Sequence, residues 1–189
     1  MAPAQPLITL GGEPEGRFEQ VAVEGILISG VFFAFMAAAA LFDAWKFIIP
    51  NAIPVGLTLL FFVVALIWND RVPIFEHIGA GLLVFCVGAV IFRLGVLGGG
   101  DIKLLTAVAF WVGWDDLGIY LLVVAILGGG LTLSLLALRY LIRRLYRSRS
   151  PEHSLPRILK VGEKIPYAIA IAAAGIWIAP YLPLLALAA

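Results

Sequence analysis

Apolar residues in this chain fall in long runs with few interruptions, not in the alternating or one-sided patterns of soluble strands and helices. The runs cover residues 21–41, 51–68, 74–92, 102–114, 117–138 and 165–187. A helix that is apolar all round buries every face, in lipid or among other helices. About 20 such residues cross the hydrocarbon core of a bilayer. The pattern therefore predicts an all-α integral membrane protein of about six transmembrane helices. Glu24, in the first turn of the first run, is placed at the interface, and Pro50 and Pro54 are placed in the first turn of the second helix, where a missing N–H is tolerated. The fourth run is short: between Asp101 and Asp115 lie 13 residues, which rise only about 20 Å as a helix. Either the bilayer thins there, or one end of that helix lies inside the membrane with Asp101 recessed. The fifth helix is expected to continue as a basic helix toward Arg144.

Composition agrees with the pattern. Hydrophobic residues are 62% of the chain and charged residues 13%, about half the charged share of a soluble domain. The 189 residues suit a single domain, 1–189. Residues 1–20 carry Glu13, Glu15 and Glu19 but only Arg17 as a base, unlike a signal peptide, so the first run is expected to stay as a transmembrane helix behind a polar tail. The one cysteine, Cys86, lies in an apolar run and is expected to be a small buried residue; alone it makes no internal disulfide and no thiolate zinc site. Residues 139–164 are basic, contain Ser148, Ser150, Pro151 and Pro156, and are read as a loop with an interfacial stretch. Anionic lipid accounts for its bases; no nucleic-acid partner is expected.

The distribution of charge sets an orientation. With six helices, the connections after the first, third and fifth share a side and hold eleven of the thirteen Lys and Arg residues: Lys46, Arg93, Lys103 and the eight bases of residues 139–164. The other side holds Arg17 and Arg71, with Asp70, Glu76, Asp115 and Asp116 among its acids. The positive-inside rule puts the basic side in the cytoplasm and both termini outside. Asp43 and Asp101 then lie at the cytoplasmic boundary.

Two carboxylates brought together divide their protonation states, so one acts as a base toward water while the other, protonated, polarises a peptide carbonyl. That chemistry needs no cofactor and no metal, and none is expected. His77 and His153 fall on opposite sides of the expected topology, against a histidine-based site. Gly98-Gly99-Gly100 directly before Asp101 would let another backbone approach it closely. Other readings of the pair are ordinary boundary charges, an assembly scaffold, or a small proton- or cation-coupled transporter using membrane carboxylates.

Gly98-Gly99-Gly100-Asp101-Ile102-Lys103 resembles the Gly-x-Gly-Asp-x-Lys signature of the type IV prepilin peptidases. Asp43, followed after five residues by Ile49-Pro50-Asn51, resembles that family's first motif, and Ile165-Pro166-Tyr167-Ala168 is close to the Pro-Tyr segment that opens its last helix. The resemblance implies a membrane aspartic endopeptidase that removes the basic leader of prepilins and pseudopilins at the cytoplasmic face of the inner membrane. It implies Asp43 and Asp101 as the catalytic pair, with Gly98, Gly100, Lys103, Pro50 and Asn51 in support. Lys103 is expected to steady a carboxylate or anchor the membrane edge, and Asn51 to donate a hydrogen bond. Larger members carry paired Cys-x-x-Cys and N-methylate the new terminus; this chain has neither the cysteines nor the insertion and resembles the peptidase-only members that serve Flp-type pili, and an archaeal preflagellin-type substrate is a variant of the same reading. Many members hold several bases where this chain has only Lys46 in Ala44-Trp45-Lys46-Phe47-Ile48. Gly128-Gly129-Gly130, inside the fifth helix, is read as a close-packing or bending site.

Overall fold

A computed structural model of the chain describes residues 15–68, 72–145, 165–182 and 185. Among the described residues there are six α-helices and no strand: α1 Glu15–Lys46, α2 Ala52–Ile67, α3 Ile74–Arg93, α4 Gly99–Val112, α5 Leu117–Leu145 and α6 Ala168–Ile178, the last tightening into a 3-10 turn, Ala179–Tyr181. Three segments are long and apolar enough to cross a membrane: Val23–Lys46 of α1, all of α3 and all of α5. Leu27, Leu59, Val90, Ile126 and Leu133 project from α1, α2, α3 and α5, each more than half exposed. So much outward apolar surface is what lipid covers, and the chain is a membrane protein.

Element ends differ from the sequence pattern in instructive places. α1 continues through Asp43 to Lys46 and stops at Phe47, whose φ of 55° is left-handed. Pro50 stands ahead of α2, not in its first turn; its carbonyl accepts from Ile53 N–H at 3.0 Å, and Pro54 takes the first-turn position. α4 begins earlier than the apolar run, because Gly99 and Gly100 are themselves helical after an extended Gly98. α5 stays helical to Leu145, as its expected continuation toward Arg144 has it, so the loop begins later than residue 139 and Arg139 is a buried helical residue. α6 is shorter than its run: it starts after Pro166, and Pro180 sits in the closing turn. Cys86 lies on the outward face of α3 instead of inside the protein. Residues 1–14 and 146–164, the greater part of the expected tail and basic loop, lie outside the described residues.

α4 is short because protein surrounds it. Leu104, Ala107, Val108 and Trp111 are fully buried, so the helix follows its neighbours and need not match a bilayer's thickness. α3 faces it with His77, Gly81, Val84 and Gly88, a stripe at helical spacing. A methyl added at Gly81 would fall inside the Phe110 ring, and one at Gly88 would overlap Ile102, so the two backbones come close. His77 Nδ1 donates to the Phe110 carbonyl at 2.7 Å, and Trp111 Nε1 donates to the Leu57 carbonyl of α2 at 3.0 Å. On another side, Gly175 sets α6 against Phe32, Met36 and Val108. α4 and α6 are thus inner helices, and their N-terminal ends carry two of the three sequence motifs.

Candidate active site

Asp43 is the most enclosed acid of the site, 6% exposed in the last turn of α1. Its Oδ2 accepts a hydrogen bond of 2.9 Å from the backbone N–H of Ala168. Ala168 is the first residue of α6. An N–H at that position has no acceptor within its own helix. A carboxylate 125 residues away in sequence therefore supplies the acceptor. Depth is distributed otherwise than the short fourth run implied: Asp43 is buried and Asp101 only half-buried.

Asp101 stands in the first turn of α4. Its carboxylate folds back over Gly98: a Cβ built there would lie 2.8 Å from Asp101 Oδ2. Only glycine admits that carboxylate without displacing it. Gly100 packs on the other side, where a Cβ would meet the Ile49 side chain at 3.3 Å. Lys103 Nζ donates to Asn51 Oδ1 at 2.9 Å. In this contact Asn51 is the acceptor, not the donor expected of it, and the lysine reaches an amide oxygen. The start of α4 is thus joined twice to the Ile49-Pro50-Asn51 segment ahead of α2.

The third segment closes the group. Tyr167 precedes α6, and its ring lies against Gly128 of α5; a methyl at Gly128 would fall inside that ring. The residue next to Tyr167 is Ala168, whose N–H holds Asp43. Gly128 serves close packing, whereas methyls at Gly129 and Gly130 would meet nothing within 4 Å among the described residues. The sequence reading left Tyr167 and Ala168 without a task. The signal for Tyr167 was present, an aromatic residue directly after a proline and a glycine run in a neighbouring helix, but the pairing of the two is a tertiary fact. His77 belongs elsewhere, at the Phe110 end of α4.

Asp43, Asn51, Gly98, Gly100, Asp101 and Lys103 thus meet at one end of the helix bundle, next to the corner formed by residues 166–168. Asp43 and Asp101 are two carboxylates brought from different helices to one end of the bundle. The sequence profile of the type IV leader peptidase family matches residues 30–133, which include Asp43 and Asp101. No curated protein and no solved structure matches the chain. The family match spans more than half of the sequence, and the chain belongs to the type IV leader peptidase family, a family of proteases.

Proposed function

We propose that this membrane protease is an aspartic endopeptidase that removes the basic leader of type IV prepilins or pseudopilins at the cytoplasmic face of the inner membrane. The observation that carries the reading is the 2.9 Å hydrogen bond from Ala168 N–H to Asp43, which ties the last motif segment to the first aspartate beside the helix end that bears the second. In this reading α1 to α6 are six spans with both termini outside. The substrate's apolar segment lies in lipid and its leader in the cytoplasm. One aspartate takes a proton from water. The oxygen attacks the scissile carbonyl while the protonated partner donates to the carbonyl oxygen. The tetrahedral adduct then collapses, and the leaving amine takes up a proton. The partners are the prepilin and membrane lipid, and no metal or cofactor enters these steps. The activity stops at cleavage: with Cys86 as the single cysteine, the chain lacks the paired Cys-x-x-Cys of the N-methylating members.

The test is leader removal from a prepilin-type precursor co-expressed with the chain. Asp43→Asn and Asp101→Asn are each expected to abolish cleavage while the protein still accumulates in the membrane. If both variants cleave normally, the aspartic mechanism is wrong.

A further inference from the structure

Catalysis by two carboxylates from different helices demands that both be held in register, since a misplacement of about 1 Å can cost a hundredfold in rate. The corner beside them has its own fastening. The Tyr167 ring sits in the space left by the absent side chain of Gly128. The Tyr167 carbonyl accepts from the N–H groups of Ala170 and Ile171 at 3.0 and 3.2 Å, so the residue is built into the first turn of α6. One bond further along the chain is the Ala168 N–H that holds Asp43. The seated ring therefore anchors the stretch of backbone that carries that N–H.

We infer that the Gly128–Tyr167 contact is a lock that positions Asp43 for the reaction: it fixes the Ala168 N–H on Oδ2 and leaves Oδ1 as the oxygen that meets the attacking water. Tyr167 is a positioning residue here, acting on Asp43 through Ala168. The inference rests on the peptidase reading given above. The glycine run supplies its own control, because a methyl at Gly129 or Gly130 meets none of the described residues within 4 Å.

The test uses the full chain, purified in detergent, with a synthetic prepilin-type precursor of basic leader and apolar segment; kcat, KM and the melting midpoint are measured together. Gly128→Ala and Tyr167→Ala are each expected to lower kcat by about tenfold or more with KM changed less than about twofold, as a misplaced catalytic group predicts. Tyr167→Phe keeps the ring and is expected to stay within about threefold of the native kcat; Gly129→Ala is expected to match the native enzyme. The double variant Gly128→Ala with Tyr167→Ala is expected to be no worse than Tyr167→Ala alone, since the lock is already gone. Native kcat in Gly128→Ala or in Tyr167→Ala overturns the lock, as does a double variant whose losses multiply. If Gly128→Ala fails to fold, Tyr167→Ala decides, because removing the ring introduces no clash. Asp43→Asn and Asp101→Asn run alongside: full cleavage in both overturns the peptidase reading itself, whereas loss there with native kcat in Gly128→Ala and Tyr167→Ala overturns the lock alone.

Discussion

At the scale of single residues, the chain accepts backbone strain between the first aspartate and Ile49-Pro50-Asn51. Phe47 stands at φ 55°, and its N–H donates to the Asp43 carbonyl at 2.9 Å, ending α1 just past the site. A left-handed residue with a Cβ costs about 1–2 kcal/mol, and a β-branched one more. Phe47→Val is therefore expected to melt below Phe47→Gly, by an amount corresponding to about 1 kcal/mol, although valine retains more apolar surface; the reverse order would show that ring packing outweighs the backbone. His77 makes the opposite case, a titratable side chain with structural work only. Its bond to the Phe110 carbonyl lies nine residues along α4 from Asp101, about 14 Å at helical rise. Leaving that carbonyl without its donor costs about 1–3 kcal/mol. His77→Leu is expected to lower the melting midpoint while kcat, assayed well below it, stays native. A loss of kcat at full stability would place His77 in the reaction.

At the scale of elements, α4 organises the molecule, and its fastening to α3 is testable. Gly81→Ala drives a methyl into the Phe110 ring and is expected to cost about 1–3 kcal/mol, as overpacking does. Gly79→Ala, where a Cβ would find only Trp114 at 3.9 Å, is expected to leave the melting midpoint unchanged or raise it. Equal effects would mean that α3 and α4 do not meet along the Gly81–Gly88 stripe. These elements were partly legible in advance. The shortness of the 102–114 run marked α4 as unusual, and the motif spacings singled out Asp43 and Asp101. Helix faces were not legible, because runs apolar on every side carry no polar stripe to show which side meets a neighbour. For that reason Cys86 was expected inside yet faces outward, and Arg139, on the expected basic continuation of the fifth helix, was not foreseen as buried. The depth of Asp43 was hidden for another reason: its partner is the N–H of a helix 125 residues later, and no local pattern encodes that.

At the scale of the whole molecule, the motif contacts and the charge distribution concern the same end of the bundle. Asn51 meets Lys103, Ile49 meets Gly100 and Asp43 meets Ala168, so the C-terminal end of α1 and the starts of α2, α4 and α6 lie together. Lys46 and Lys103 belong to this end, and Arg143 and Arg144 close α5, which returns to it if the six helices alternate as proposed; Glu76 and the acids Asp115 and Asp116 then stand at the opposite turns. The positive-inside rule predicts that this end faces the cytoplasm. The prediction is read with a membrane-impermeant maleimide on intact cells, in a Cys86→Ala background. Lys46→Cys and Arg144→Cys are expected to label only after permeabilisation, and Glu76→Cys and Asp115→Cys before it, all four positions being exposed. The inverted pattern would place Asp43 and Asp101 on the far side of the membrane, out of reach of a basic leader held in the cytoplasm, and would rule out leader removal there whatever the carboxylates can do. A split in which Lys46→Cys and Arg144→Cys label from different sides would break the six-span alternation and separate α5 from the end that bears the site. Only the expected pattern lets substrate and carboxylates meet from one compartment.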